Sequence, residues 1–187
     1  MTAKYSLGKI GKLKITAAPS AVGGFILLWP VFSLLGLKVF RLRPRQAIAG
    51  GLLATASHFL SEIWHQMGHA RAAEQTGYPM DGVHLWSVLG TSIYPTNEPE
   101  LPPEIHVERA LGGPRSSAML TLAGGLFALA MRSFSPLGFM LGVLLALENM
   151  LVFTLGAFFP LPFMETDGTT IKRYRDAHRK RMVIIQE

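Results

Sequence analysis

"AIAGGLLATASHFLSEIWHQMGHARAAEQ", residues 47–75, opens as an apolar run and ends as a polar helix, and its reading decides the fold. At about 100° per residue, His58, Glu62, His65 and His69 fall four, three and four positions apart, on one narrow face. Ionisable groups facing lipid are costly, so such a face looks into the protein or into a water-filled cavity. A polar seam that glues helices through (i, i+4) pairs would account for one such residue. Four in register favour a functional site.

The chain around this helix is that of a membrane protein. It has 187 residues, mean hydropathy is +0.31, and only 16% of residues are charged. Ala21–Leu37 is uncharged and about long enough to cross a bilayer. The run 47–61 is shorter, but its helical pattern continues to Gln75. Between Ser116 and Met164 the only charges are Arg132 and Glu148, and "SFSPLG", residues 133–138, supplies a turn that divides this stretch in two. Four adjacent apolar helices are more than a soluble domain of this size buries. The basic residues flank apolar runs rather than alternating with exposed aromatics, which excludes a nucleic-acid reading. With no cysteine, disulfides and thiolate metal sites are excluded. No removable signal peptide is expected at the N-terminus.

Four spans place both termini and the loop 77–115 on one side. That side carries 13 Lys and Arg residues against 5 on the other, so the termini and central loop are expected in the cytoplasm. "SLGKIGKLKITAAPS", residues 6–20, reads as a short strand or hairpin before the first span, and "GVHLWSVLGTSIYPTNEPELPPEIHVERALGGP" as a small cytoplasmic hairpin followed by a proline-rich loop. The expected architecture is an all-α membrane protein of about four spans with these small β additions. It forms a single domain over residues 1–171, followed by a basic cytoplasmic tail, 172–187, near acidic lipid headgroups.

Histidines four apart on a helix suit zinc, because their ring nitrogens converge on one point and leave room for a third ligand and a water. Asp167, followed by Gly168, stands at the end of the fourth apolar stretch. Alone it reads as a turn or cap. In a four-span topology, however, the ends of spans two and four reach the same side, so His65, His69 and Asp167 can meet just inside the membrane. Glu148, beside Asn149 within the fourth stretch, is a further buried acid, and an interhelical hydrogen bond to His58 or Ser57 is its expected role.

Taken in order, these pieces resemble the site-2 protease family of intramembrane zinc metalloproteases. "LGKIGKLKITAAPSAVGGFILLW" resembles the family's N-terminal strand and first helix, and "HQMGHARAA" its HExxH helix. "RALGGPRSSAML" resembles the entry to its next core helix, and "LPFMETDGTTI" its aspartate–glycine motif. The resemblance implies His65, His69 and Asp167 as zinc ligands. It also implies a substrate that is itself a membrane-spanning segment.

The departures matter as much. Gln66 stands where the family has its general base, Phe159 aligns with an asparagine before the aspartate motif, and Ser117 takes another asparagine position. An amide cannot accept the proton of a metal-bound water, and general acid–base help is worth about 10²–10⁴-fold. Glu62 shares the ligand face but lies a turn earlier, where it is expected to orient His65 or pair with His58. The leading expectation is therefore a catalytically silent, zinc-binding membrane component that binds a partner helix or other subunits of a membrane complex. A second reading is an active intramembrane metalloendopeptidase carried as a Glu-to-Gln variant. A third is a membrane-complex subunit whose histidines bind another cofactor or none.

Overall fold

The computed structural model describes residues 4–186, with side chains for 4–176. In chain order the elements are β1 (Tyr5–Ile10), β2 (Leu13–Ala17), α1 (Pro19–Lys38), α2 (Pro44–Gln75), β3 (Gly82–Trp86), β4 (Leu89–Ile93), α3 (Pro103–Met131), α4 (Pro136–Glu148) and α5 (Asp167–Gln186). The first four helices each begin with proline, whose fixed φ and missing N–H suit the first helical position. Ser135 caps α4 by accepting the Gly138 amide at 3.0 Å. Past Glu148 the helix widens into a π-helical stretch, Asn149–Leu155, and closes with a tight turn, Gly156–Phe158.

Two segments among the described residues are long and apolar enough to cross a membrane, Pro19–Lys38 and Pro136–Phe158. The other two expected spans are the longer helices α2 and α3, of 32 and 29 residues, whose polar residues keep them outside that description. Those polar residues point inward. In α2 His58, Glu62, His65, Gln66 and His69 are all buried, whereas Leu53 and Leu60 are exposed. In α3 Arg109 and Ser117 are buried while Met119, Leu122, Leu126 and Leu129 are exposed.

The β component is larger than the sequence suggests. The N-terminal hairpin and the central hairpin form one four-stranded sheet in the order β1-β2-β3-β4, joined by parallel pairing of β2 with β3. Ile15, Ala17, Val83 and Leu85 on its inner face pack with Ala21, Ala70 and Ala73 of α1 and α2. This packing lays the sheet along α2. The expected tail is helical from Asp167 onward, and its side chains from residue 177 on, including Arg179, Lys180 and Arg181, lie outside the described residues.

Helices α2 and α3 cross where glycine faces glycine. A Cβ on Gly68 would lie 2.4 Å from the Gly112 carbonyl oxygen, and a Cβ on Gly112 would lie 2.4 Å from that of Gly68. Gly68→Ala is expected to destabilise the protein by about 1–3 kcal/mol through overpacking. Gly125→Ala, which meets nothing within 4 Å, should be neutral or gain up to about 1 kcal/mol from helix propensity. Thermal unfolding in detergent distinguishes the two.

Candidate metal centre

The polar face of α2 meets four other elements, α3, α4, α5 and β4, and each contact has a chemical sense. His69 Nδ1 lies 2.8 Å from the Arg109 carbonyl oxygen of α3. A carbonyl only accepts, so Nδ1 carries the proton and Nε2 is left as a lone pair in the neutral ring. The Gly113 amide lies farther from the same nitrogen, at 3.3 Å, and does not change this assignment. His65 Nδ1 is 3.0 Å from Ser117 Oγ, which can accept in the same way.

The two Nε2 atoms then face each other at 3.0 Å. Asp167 completes the group, with Oδ2 3.4 Å from His65 Nε2 and Oδ1 3.4 Å from His69 Nε2. Converging lone pairs of two imidazoles and a carboxylate repel unless a cation or a shared proton lies among them. Ligand atoms 2.0–2.1 Å from one tetrahedral ion stand about 3.3 Å apart, so this donor set fits zinc. Gly113 makes room for it, since a Cβ there would lie 2.3 Å from His69 Nε2 and 2.4 Å from His65 Nε2.

Asp167 is set in place by the start of α5. Thr166 and Thr169 bond reciprocally across the first turn, amide to hydroxyl, at 2.8 and 3.4 Å. A Cβ on Gly168 would lie 2.6 Å from Phe158, which seats this turn against the end of the apolar segment. The Tyr174 ring stacks on His106 of α3, centroids 3.9 Å apart and ring planes nearly parallel, and holds α5 down.

Gln66 is buried and bonded at both ends of its amide. Its amide nitrogen donates to Glu62 Oε1 at 2.9 Å, and its oxygen accepts from Ser92 Oγ of β4 at 2.7 Å. Glu62 therefore does not orient His65 or pair with His58 by hydrogen bond. Its side-chain hydrogen-bond partner is Gln66, one turn along the same helix. His58 instead donates from Nε2 to the Val88 carbonyl at 2.8 Å and shares a proton at Nδ1 with Glu148, at 2.6 Å. Beside it Asn149 donates to Ser61 Oγ and to the Leu145 carbonyl, both at 2.9 Å. His58 with Glu148, and Asn149 with Ser61, are thus paired outside the group of three converging side chains. Phe159 is exposed and lines the cavity wall.

The cavity over this site is about 650 Å³. One wall is polar, made by the edge strand β4 with Glu62 and Gln66, and the other is apolar, made by Leu151, Val152, Phe153 and Phe159. Ser92, Gly113 and the Arg109 carbonyl are contributors that sequence reasoning missed. The "GGP" run was visible, but nothing in one sequence gives the register that brings Ser92 to Gln66.

Arg109 also secures the loop at the cavity mouth. Its guanidinium grips both carboxylate oxygens of Glu98, at 2.5 and 3.0 Å, bonds the Tyr78 carbonyl, and stacks 4.4 Å over Tyr94. These bonds hold the Glu98 carboxyl below its ordinary value of 4.5, against a smaller opposing effect of burial. A carboxyl whose folded pKa is depressed contributes full stability above its unfolded pKa and loses it as pH falls through the folded one. Glu98→Gln is expected to destabilise the protein by about 2 kcal/mol near neutral pH, the worth of a hydrogen bond to a charged group. The gap in thermal unfolding between wild type and variant should close as pH drops below 4.5.

No protein-family model matches the chain, and no curated protein matches it. Among solved structures it is similar to the site-2 protease from Methanocaldococcus jannaschii. The two share 18% sequence identity with a TM-score of 0.62, over 91% of this chain and 70% of that one. At that identity the likeness establishes the fold. The chain has a site-2-protease-like fold with two segments long and apolar enough to cross a membrane, and its His65, His69 and Asp167 form a group that could hold a metal ion.

Proposed function

We propose that this chain is a zinc-binding, catalytically silent relative of the site-2 proteases that receives a membrane-spanning segment of another protein without cutting it. His65, His69 and Asp167 would hold the ion. Zinc bound there would polarise a carbonyl or acidify a water. The observation that carries the silent reading is the setting of Gln66. An amide takes no proton near neutral pH, and this one is held at both ends, by Glu62 and by Ser92, with no carboxylate in its place. Gln66 serves instead to fasten β4 to α2.

Four membrane crossings agree with the exposed apolar residues on α2 and α3 as well as on α1 and Pro136–Phe158. In this arrangement the termini and the loop 77–115 lie in the cytoplasm, by the excess of Lys and Arg on that side. The partner segment would enter between β4 and the apolar wall of the cavity, where both a peptide backbone and its side chains find matching surface.

The contact between Gln66 and Glu62 makes the test sharper than a single reversion. A glutamate at 66 would stand against the Glu62 carboxylate, and two carboxylates so close hold a proton between them. Gln66→Glu alone is therefore expected to restore little cleavage of a reconstituted membrane-spanning substrate. Glu62→Gln with Gln66→Glu frees the new carboxylate and should raise cleavage by about 10²-fold or more over wild type. If wild type cuts as fast as the double variant, the silent reading is wrong. Metal binding is tested separately. Added zinc at a thousandfold excess over its dissociation constant should stabilise the wild type by about 4 kcal/mol. Asp167→Asn should abolish that shift in thermal unfolding, and an unchanged shift would refute the ligand assignment.

A further inference from the structure

The strand β1 is the outer edge of the sheet, and all six of its residues are exposed. An edge strand offers a row of unpaired N–H and C=O groups, and soluble proteins usually blunt such edges with charge. Here the lysines are weighted towards one end of the hairpin. Tyr5 and Leu7, 53% and 59% exposed, stand at one end beside Lys4, while Lys9, Lys12 and Lys14 stand with Ile10 towards the other.

The register says which end is nearer the membrane. Tyr5 pairs with Ala17, which pairs with Leu85. Two residues beyond Leu85, the Ser87 amide bonds Ser20 Oγ at 3.1 Å, and the Ser87 carbonyl sits against Gly24, where a Cβ would come within 2.1 Å of it. Ser20 and Gly24 belong to the first turns of α1, so the Tyr5 end lies level with the start of an apolar membrane-length helix. From Ala17 back to Leu13 the strand climbs about 13 Å away from that level, carrying Lys9, Lys12 and Lys14 with it.

We infer that the β1–β2 hairpin is a lipid anchor, with the Tyr5–Leu7 edge seated in the interfacial layer of an acidic leaflet and the lysines on its headgroup phosphates. The inference rests on α1 crossing the membrane. Charge complementarity selects the occupant. The chain has no Asp or Glu before Glu62, and Lys4, Lys9, Lys12 and Lys14 are exposed and make no ion pair among the described residues. Aromatic and aliphatic side chains at the interface beside lysines that reach outward are the pattern of interfacial anchoring. The β2 partner strand and the bulge between Ser6 and Gly8 leave Leu7 on the free edge, where lipid can reach it.

The absence of cysteine makes a site-specific test direct. Leu7→Cys, Lys12→Cys and Ile26→Cys variants of the full chain carry one fluorophore each, in vesicles of phosphatidylcholine with phosphatidylglycerol. The Leu7 label is expected to be quenched by shallow lipid-borne quenchers and shielded from aqueous iodide, the Lys12 label to be open to iodide, and the Ile26 label to respond to deep quenchers. A Leu7 label as open to iodide as Lys12, with Ile26 still lipid-quenched, overturns the anchor and leaves the membrane reading standing. An iodide-accessible Ile26 overturns both. Energy transfer between Leu7 labels on separate chains, without lipid quenching, would show that a second copy covers the edge and would overturn the lipid assignment. Replacing Lys9, Lys12 or Lys14 by Gln should lower the seated-to-free ratio of the Leu7 label about fivefold per lysine near an acidic surface. No change, or the same change in pure phosphatidylcholine, overturns the acidic-headgroup component.

Discussion

The polar groups on the inner face of α2 are buried, and a buried polar group is costly unless it finds a hydrogen-bond partner. The structure meets this demand with partners from four directions. His58 is met by Glu148 and the Val88 carbonyl, Gln66 by Glu62 and Ser92, His65 by Ser117, and His69 by the Arg109 carbonyl. After this pairing the two histidine Nε2 atoms remain, turned towards each other and towards Asp167. The candidate metal centre is what is left when the rest of the stripe has been satisfied.

That pairing requires close approach, and small residues provide it. Gly68 and Gly112 let α2 and α3 cross with their backbones in contact, and Gly113 leaves space where the imidazoles meet. The same closeness brings Ser117 and the Arg109 carbonyl within hydrogen-bond reach of the histidines. Helix packing and imidazole orientation are therefore one geometric problem with one solution.

The sheet is bound into the same solution. Ser92 on β4 reaches Gln66, and the turn after β3 presents the Val88 carbonyl to His58, so two points on α2 fix the strand beside the cavity. A glutamate at position 66 could accept from Ser92 but could not donate to Glu62 when both are ionised. Glutamine, with a donor at one end and an acceptor at the other, suits a bridge between a carboxylate and a hydroxyl. In this chain the Glu62–Gln66 pair reads as a unit, the amide and the carboxylate each explaining the other.

Much of this was legible in the residues. Spacings of four, three and four put the ionisable groups on one face of a helix whatever surrounds it, because helical periodicity is local. The apolar runs, the turn at "SFSPLG" and the prolines that open the helices are local signals too. Asp167 could be joined to the histidines because topology alone brings the two chain segments to one side. What the sequence could not supply is register between distant segments. The parallel pairing of β2 with β3, the reach of Ser92 to Gln66 and the choice of Gln66 rather than His65 as the partner of Glu62 depend on ångström-scale placement of elements far apart in the chain. Sequence by itself determined which groups had to be buried together. Only the tertiary structure decided which of them bond to one another and which are left facing the cavity, because hydrogen bonds are won by distance and direction across packed surfaces.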